Sequence, residues 1–319
     1  MKFLCIKLGA ILDTITARVQ AADPDESRLK CEWLASHVLC CSRLELASRR
    51  EQHLTPLQVR QIEAGATRLT AGEPLQYILG EAEFMGHVFA CDHRALIPRP
   101  ETEQLTAWML EDAPLWQINA PAFAPKATVG MPVIADVGTG SGCIAISLAL
   151  EQPKGRYIAT DSSPAALALA RENAARHGVS TRIRFVACDL LSAATSKTTF
   201  QHSAECWNVV TAGSTTLTNL DAVVSNPPYV RAADWARLER SVRDFEPRTA
   251  LDGGPDGLAV IRRLMAQAFQ ALKPGGALYL EIGEDQGTAV LKLAHAAGFR
   301  KSQVRADLAG KDRMVRAVK

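Results

Sequence analysis

The segment from Leu220 to Tyr229 reads LDAVVSNPPY, and the rest of the chain can be interpreted from it. An apolar run that ends in a polar, proline-containing turn is typical of a buried strand. Open α/β sheets bind ligands at the carboxyl ends of their strands. We therefore expect residues 226–229 to lie at the edge of a binding site. A strand that merely ends in a rigid turn would explain this segment, taken alone, equally well.

The residue types in this turn suit recognition of a planar NH₂ group. The side-chain carbonyl of Asn226 accepts hydrogen bonds, and Pro227 has no N–H, so its backbone offers only a carbonyl. Two acceptors at one turn can hold both protons of an amide or amino nitrogen, while Tyr229 covers the flat face of the group. The turn therefore predicts a substrate with such a nitrogen.

A glycine-rich segment upstream predicts the cofactor. Residues 135–142 read ADVGTGSG, and their glycines allow a tight turn and close approach of a ligand. Asp161 stands at the end of the next predicted strand, about 20 residues beyond the glycine loop. At this spacing an acid meets the ribose hydroxyls of a bound cofactor. Cys143 stands where a dinucleotide fingerprint has glycine, which disfavours a nicotinamide cofactor. We therefore predict S-adenosyl-L-methionine as the cofactor.

The composition is that of a soluble globular protein, with 319 residues of which 47% are hydrophobic and 22% are charged. A net charge of +2 gives no basic field for tight binding of nucleic acid, and no apolar run spans a membrane, so we expect neither partner. The eight cysteines contain no C-x-x-C pair, and the seven histidines show no metal-ligand spacing. We expect reduced thiols, a cytoplasmic location and no metal.

The first part of the chain predicts a small all-helical domain over residues 1–80. Helix starts are indicated at Asp23-Pro24-Asp25-Glu26 and at Thr55-Pro56-Leu57-Gln58, where a capping residue precedes a proline. A hairpin linker over residues 81–95 is expected next, because short apolar runs flank Phe84-Met85-Gly86.

Residues 96–319 are predicted to form a second, larger domain. From Val133 onward strand and helix patterns alternate, which predicts an α/β fold with a doubly wound, Rossmann-like, mostly parallel sheet. Before the sheet we expect a helix from Thr102 to Leu110 and then a surface loop over residues 114–126. Residues 191–219 are rich in serine and threonine and are predicted to be a mostly irregular insertion.

At this point the chain resembles the HemK/PrmC family of protein-glutamine N5-methyltransferases, which modify peptide chain release factors. The resemblance covers nearly the whole chain, and the sequence Pro-Arg-Pro-Glu-Thr at residues 98–102 is its most specific motif. The segments that carry it are residues 76–80, 97–103, 138–142, 226–229, 246–247, 281–283 and 310–313.

The resemblance implies an enzyme with a class I methyltransferase fold and a helical substrate-docking domain. It implies methyl transfer from S-adenosyl-L-methionine to the side-chain amide nitrogen (N5) of the glutamine in the Gly-Gly-Gln loop of release factors. The implied cofactor-binding residues are Gly138, Thr139, Gly140, Ser141, Gly142, Asp161, Asp189, Leu190 and Asn226. The implied catalytic residues are Asn226, Pro227 and Tyr229, and Pro228 joins them in binding the substrate. At Leu190, plain apolar contact replaces the aromatic stacking that relatives often provide.

Two other functions stay open on the sequence alone. An adenine-N6 DNA methyltransferase also uses an Asn-Pro-Pro-Tyr turn, although the near-neutral charge and the motif at residues 98–102 argue against it. A non-catalytic adapter that binds S-adenosyl-L-methionine would keep the fold without turnover. The intact glycine loop, Asp161 and Asn226 argue against such a loss of activity.

Several charged residues are weaker candidates for a role at the site. Glu101 is expected to cap a helix, and Asp136 is expected to order the glycine loop. Glu246 and Glu281 are further weak candidates. A small basic group is expected to be a solvated surface or, alternatively, to contact an acidic partner. It consists of Lys311, Arg313 and Arg316.

Overall fold

The computed structural model describes residues 6–22, 24–118, 131–193 and 217–319. These residues divide into two compact units. The first unit comprises the chain up to Glu81 together with Leu238–Glu246, and the second comprises residues 82–237 and 247–319. The sequence patterns do not indicate that residues 238–246 belong with the N-terminal helices.

The first unit is helical because its apolar residues recur at a spacing of three or four. In helix α1, for example, Leu8, Ile11 and Ile15 are all buried, as on the inner face of an amphipathic helix. Cys31 and Ile62 are fully buried in the same core. The helices of this part are α1 (Leu8–Ala22), α2 (Ser27–Leu39), α3 (Arg43–Ser48), α4 (Pro56–Thr70) and α5 (Leu75–Leu79).

The two predicted helix starts have different outcomes. The capping box at Thr55 is confirmed, since the Gln58 backbone N–H donates to Thr55 Oγ1 over 3.2 Å and the Thr55 backbone N–H donates to Gln58 Oε1 over 2.9 Å. The start at residues 23–26 is wrong, because α2 begins only at Ser27. Its N-cap, Glu26, has a left-handed φ of 53° and no capping side-chain bond. An N-cap with left-handed backbone does not present its side chain to the first N–H groups of the helix, as an N-cap in extended backbone does.

A hairpin of two strands, β1 (Glu81–Phe84) and β2 (His87–Ala90), follows α5. Its turn residues Met85 and Gly86 have φ values of 52° and 73°, and a type I′ turn requires positive φ at both positions. The rings of Phe84 and Phe89 pack edge to face with centroids 6.2 Å apart. Both rings are buried in a core of the second unit, which fixes the hairpin there.

An eight-stranded sheet forms the centre of the second unit. Its strands are β3 (Val133–Val137), β4 (Arg156–Asp161), β5 (Ile183–Asp189), β6 (Ser192–Ala193), β7 (Leu220–Ser225), β8 (Leu272–Glu281), β9 (Lys301–Ala306) and β10 (Asp312–Val318). Their order is β6-β5-β4-β3-β7-β8-β10-β9. Strands β5, β4, β3, β7 and β8 are parallel, whereas β10 is antiparallel to β8 and β9, and β6 to β5. The predicted doubly wound, mostly parallel sheet is therefore confirmed.

Helices cover both faces of this sheet. The remaining helices are α6 (Pro100–Ile118), α7 (Cys143–Glu151), α8 (Pro164–Arg176), α9 (Arg240–Phe245), α10 (Ala259–Ala271) and α11 (Gly287–Ala297), of which α9 belongs to the first unit. Trp108 of α6 and Leu148 of α7 are buried on one face, and Ile261 of α10 and Val290 of α11 on the other. Strand β7 is buried at every position, as expected of a central parallel strand between two helical layers.

Two segments predicted to be irregular are partly regular. Helix α6 continues through Pro114 to Ile118, so the expected loop is wrong at residues 114–118. Ala113, Leu115 and Gln117 are good helix formers and outweigh Pro114, which disfavours a helix interior. The rest of that loop lies outside the described residues. Within the predicted insertion, Ser192–Ala193 pair with β5, and residues 194–216 lie outside the described part of the chain.

The order of the strands reverses between β3 and β7. The chain passes from β3 outward through β4 and β5, and then from β7 outward through β8 on the other side. Asp136 of β3 is in register with Val224 of β7. The turns that follow these two strands therefore lie side by side at the same edge of the sheet, where doubly wound folds bind their ligands.

Candidate active site

A cavity of about 500 Å³ lies at the carboxyl ends of the strands of the second unit. Its walls come from the loop after β3, the ends of β4 and β5, the turn after β7, and residues 93–99 before α6. Residues 247–250 and two side chains of α10 complete the wall. The two motifs that the sequence singles out therefore open onto one space.

The glycine loop contributes to the cavity through two of its three glycines. Gly138 and Gly140 line the cavity and have φ values of 71° and 56°, which only glycine adopts without strain. Thr139 and Ser141 also line it. Gly142 is not part of the wall, and a Cβ placed on it would lie 3.1 Å from the Cβ of Ala170 in α8. It therefore allows α7 and α8 to pack closely.

Asp136 stabilises the glycine loop through two hydrogen bonds. Its Oδ2 accepts a hydrogen bond of 2.6 Å from Thr139 Oγ1 and one of 3.1 Å from the Ala145 backbone N–H at the start of α7. The carboxyl group is 1% exposed, and burial raises its pKa to about 7. These contacts give Asp136 an ordering role, as expected from its position before the loop.

Asp161 stands at the end of β4 and lines the cavity. Its Oδ2 accepts from the Gly140 backbone N–H over 3.0 Å, and its Oδ1 accepts from the Ser163 backbone N–H over 2.8 Å. Burial raises the pKa of this carboxyl group above its usual value. Each oxygen keeps a second lone pair, so the carboxylate can accept hydroxyl protons from a ligand without losing its backbone bonds.

Asp189 ends β5, Leu190 follows it, and both line the cavity. Leu190 has a left-handed φ of 57°, an uncommon conformation for a leucine that marks a constrained position. The carboxylate of Asp189 forms an ion pair with Arg263 of α10, which lines the same wall. Sequence patterns do not predict Arg263, because it is one of many basic residues on a helix surface.

Asn226 lines the cavity directly after β7. Its Nδ2 donates to Thr102 Oγ1 over 3.0 Å, and Thr102 Oγ1 donates to Glu281 Oε2 over 2.6 Å. Thr102 and Glu281 are almost completely buried, and burial raises the pKa of Glu281 to about 7. The sequence indicates Thr102 only as part of the Pro-Arg-Pro-Glu-Thr motif and Glu281 only as a weak candidate, because no pattern along the chain predicts that the two side chains meet.

The remaining residues of the turn differ in whether they line the cavity. Pro228 lines the cavity, whereas Pro227 is buried and Tyr229 does not belong to the lining. The hydroxyl group of Tyr229 donates to Glu281 Oε1 over 3.1 Å, and burial raises the pKa of the tyrosine. The structure therefore directs the tyrosine ring toward Glu281, whereas the sequence predicts that it covers the substrate.

The backbone at Tyr229 is held by a second glycine-rich loop, residues 252–257. A Cβ on Gly257, which has a φ of 73°, would collide with the Tyr229 carbonyl oxygen. Gln286 Nε2 donates to that carbonyl over 3.2 Å and to the Gly257 carbonyl over 3.3 Å. This loop and Gln286 together fix the end of the turn, a role that the sequence motifs do not suggest.

The basic group near the C-terminus is paired with acids. Lys311 pairs with Glu284 over 2.6 Å, Arg313 with Asp307 over 3.2 Å, and Arg316 with Asp112 over 3.2 Å. The Lys311 pair is exposed, whereas the Arg313 and Arg316 pairs are largely buried, so the expected solvated surface is limited to Lys311. All three pairings argue against a dedicated contact for an acidic partner.

Within the described ranges, no group of histidine, cysteine, aspartate or glutamate side chains is arranged to hold a metal ion. The helices described there are too short or too polar to cross a bilayer.

The fold and the site together define a class I methyltransferase. Residues 128–287 match a family model described as a methyltransferase domain, and residues 10–80 match one described as the PrmC N-terminal domain. A release factor glutamine methyltransferase of Moorella thermoacetica is 39% identical over 96% of both chains. One of Chlorobaculum tepidum is 39% identical over 95% of this chain and 94% of its own.

The chain therefore belongs to the release factor glutamine methyltransferase family. Among solved structures, the N-terminal domain of human METTL16 in complex with SAH is similar with a TM-score of 0.45 and 16% identity, over 72% of this chain and 75% of that chain.

Proposed function

We propose that this enzyme transfers a methyl group from S-adenosyl-L-methionine to the side-chain amide nitrogen of the glutamine in the Gly-Gly-Gln loop of peptide chain release factors. Membership of the family, at 39% identity over nearly the full length, supports the reaction. The observation that carries the chemistry is Asn226, which lines the cavity beside the glycine loop and donates its own NH₂ group to Thr102.

The residues of the cavity fit S-adenosyl-L-methionine. The Asp161 carboxylate, held by two backbone N–H groups, can accept the ribose hydroxyls. The absence of a side chain at Gly140 makes room next to Ala95, whose Cβ would lie 3.7 Å from an added Cβ. Leu190 offers an apolar surface for the adenine ring, and the N-terminus of α7 suits the carboxylate of the methionine part. When bound there, the sulfonium supplies an electrophilic methyl group.

Catalysis in this proposal depends mainly on positioning. A glutamine amide nitrogen is a weak nucleophile because its lone pair is delocalised into the carbonyl group. The side-chain carbonyl of Asn226 and the backbone carbonyl of Pro227 accept its two protons and aim the nitrogen at the methyl carbon. The same carbonyl dipoles favour the positive charge that develops on the nitrogen as the C–S bond breaks. The extra proton then leaves to water, so no side chain need act as the base.

The first unit is proposed to dock the release factor, with no nucleic acid or membrane as partner and with the cytoplasm as the site of action. The match of residues 10–80 to the PrmC N-terminal domain supports the docking role, and the near-neutral net charge argues against nucleic acid as a partner.

Mass spectrometry of a release factor incubated with the enzyme and S-adenosyl-L-methionine tests the function. We expect one added methyl group, on the glutamine of the Gly-Gly-Gln loop, and none on a control release factor that carries Gly-Gly-Glu. Methylation of an adenine-containing oligonucleotide instead would support a DNA methyltransferase. Binding of the cofactor with no transfer to either would support a non-catalytic adapter.

A further inference from the structure

A buried chain of polar groups links the turn after β7 to the end of β8. Asn226 Nδ2 donates to Thr102 Oγ1 over 3.0 Å, and Thr102 Oγ1 donates to Glu281 Oε2 over 2.6 Å. The Tyr229 hydroxyl donates to the other carboxylate oxygen over 3.1 Å. Thr102 is 3% exposed and Glu281 is 1% exposed, so water does not compete for the bond between them. The bonds made by Asn226 and Tyr229 are partly buried, and Thr102 borders the cavity together with Asn226.

The direction of each bond follows from what its groups can donate. An ionised carboxylate only accepts hydrogen bonds, so Glu281 takes the single hydroxyl proton of Thr102. The Thr102 oxygen is then an acceptor toward Asn226 and must meet the NH₂ end of that amide. The carbonyl end of the amide is thereby turned away from Thr102, toward the cavity that Asn226 lines.

We propose that Thr102 and Glu281 are positioning residues that fix which end of the Asn226 amide faces the methyl-accepting nitrogen. The inference rests on the proposed function and deepens it. An Asn226 amide turned by 180° would set its own NH₂ group against the NH₂ group of the substrate, donor against donor. The enzyme would still bind its cofactor but could no longer hold the substrate nitrogen in place.

The orientation depends on the ionisation of Glu281. Burial raises its pKa to about 7, the charge of Glu101 adds to this rise, and the hydrogen bonds from Thr102 and Tyr229 and the charge of Arg313 oppose it. A protonated Glu281 no longer requires the Thr102 hydroxyl proton, which can then turn to the Asn226 carbonyl and reverse the amide. Turnover is therefore expected to fall as the pH decreases through about 7.

Three substitutions separate this role from a merely structural one. Thr102→Val keeps the shape but removes the hydroxyl group, and we expect it to lower kcat about 100-fold, the scale for one lost oriented polar contact. Affinity for S-adenosyl-L-methionine, measured by calorimetry, and the melting temperature should stay near the wild-type values. Thr102→Ser restores the hydroxyl group and should recover most of kcat. Glu281→Gln keeps an acceptor oxygen but cannot ionise, so the acid limb of its pH profile should disappear.

A measurement without turnover keeps the inference separate from the proposed function. In nuclear magnetic resonance spectra of the wild type, the Asn226 NH₂ protons should show a nuclear Overhauser effect to the Thr102 methyl group. If that contact is missing, or if Thr102→Val keeps wild-type kcat, the positioning role is refuted. Failure of the wild type to methylate any release factor, with the contact present, would refute the proposed function and leave the orientation of Asn226 established.

Discussion

Asn226 can present either end of its amide to the cavity, and its neighbours decide which. Asp161 depends on its neighbours in the same way, since two backbone N–H groups aim its carboxylate. These two side chains face one space but are expected to act on different molecules, Asn226 on the substrate and Asp161 on the cofactor.

Substitution of the two residues should produce opposite patterns. Asn226→Ala should lower kcat about 100-fold or more, because the nitrogen loses one of its two acceptors, while calorimetry shows that S-adenosyl-L-methionine still binds. Asp161→Ala should weaken that affinity about tenfold or more, because the ribose hydroxyls lose a charged acceptor. Near-normal turnover of Asn226→Ala, or unchanged cofactor affinity of Asp161→Ala, would remove that residue from the site.

The pKa of Asp136 predicts how its contribution to stability changes with pH. Burial raises this pKa from an ordinary value to about 7, so the folded protein binds the proton more tightly than the unfolded chain does. The contribution of Asp136 to the free energy of unfolding is therefore largest below about pH 4 and declines as the pH rises toward 7.

Asp136→Asn removes this dependence. At pH 5 the neutral carboxyl group of the wild type resembles the amide, whereas at pH 8 the wild type must bury a charge. Denaturant unfolding should show the variant gaining stability relative to the wild type between these values, by on the order of 1–4 kcal/mol. Parallel stability curves for the two proteins would contradict the raised pKa.

At the scale of elements, the turn after β7 is held in place by segments that follow it in the chain. The Gly253 backbone N–H donates to the Val230 carbonyl over 2.8 Å, and the Val230 N–H donates to the Leu251 carbonyl over 2.9 Å. The second glycine-rich loop and Gln286 therefore fix the backbone immediately after the residues that are proposed to bind the substrate.

Gly257→Ala tests whether this loop fixes the backbone of the turn. Its Cβ would collide with the Tyr229 carbonyl oxygen, so we expect kcat to fall about tenfold or more, together with a loss of stability of about 1–3 kcal/mol. Gly178→Ala is a matched control, because Gly178 has a similar φ of 68° but nothing within 4 Å of the added Cβ. The control should lose stability and keep its kcat. Equal losses of kcat in the two variants would assign the effect to backbone strain alone.

At the scale of the whole molecule, the first unit is proposed to dock the release factor and the second unit to catalyse methyl transfer. The first unit exposes apolar side chains, among them Trp33 at 46% and Leu44 at 85% of their surface. Arg43 lies over the Trp33 ring at 5.4 Å from its centroid. Exposed aromatic and apolar groups next to arginine are typical of protein-binding surfaces.

Trp33→Ala and Leu44→Ala should each raise the KM for the release factor about tenfold, since one anchoring side chain is worth roughly 1–2 kcal/mol. Saturated kcat and cofactor affinity should not change. Leu308→Ala is the control, because Leu308 is 94% exposed but belongs to the second unit. A change in KM in the control alone would place the docking surface elsewhere.

Much of this protein could be predicted from local sequence patterns. The parallel sheet, the capping box at Thr55, the glycine loop and the cavity positions of Asp161 and Asn226 follow from patterns that span a few residues. The start of α2 and the length of α6 could not be predicted in this way. The first depends on the left-handed backbone of Glu26, and the second depends on how weak helix propensities add up.

The sequence by itself determined the fold class and which side chains end β3, β4 and β7, because alternation, turn residues and glycine act locally. Only the tertiary structure decided that Thr102 lies against Glu281, 179 positions away, and against Asn226, 124 positions away. It also decided that the hydroxyl group of Tyr229 contacts Glu281 and that Gly142 does not line the cavity. Such contacts arise where the ends of parallel strands and the start of a helix converge, and no pattern along the chain records that convergence.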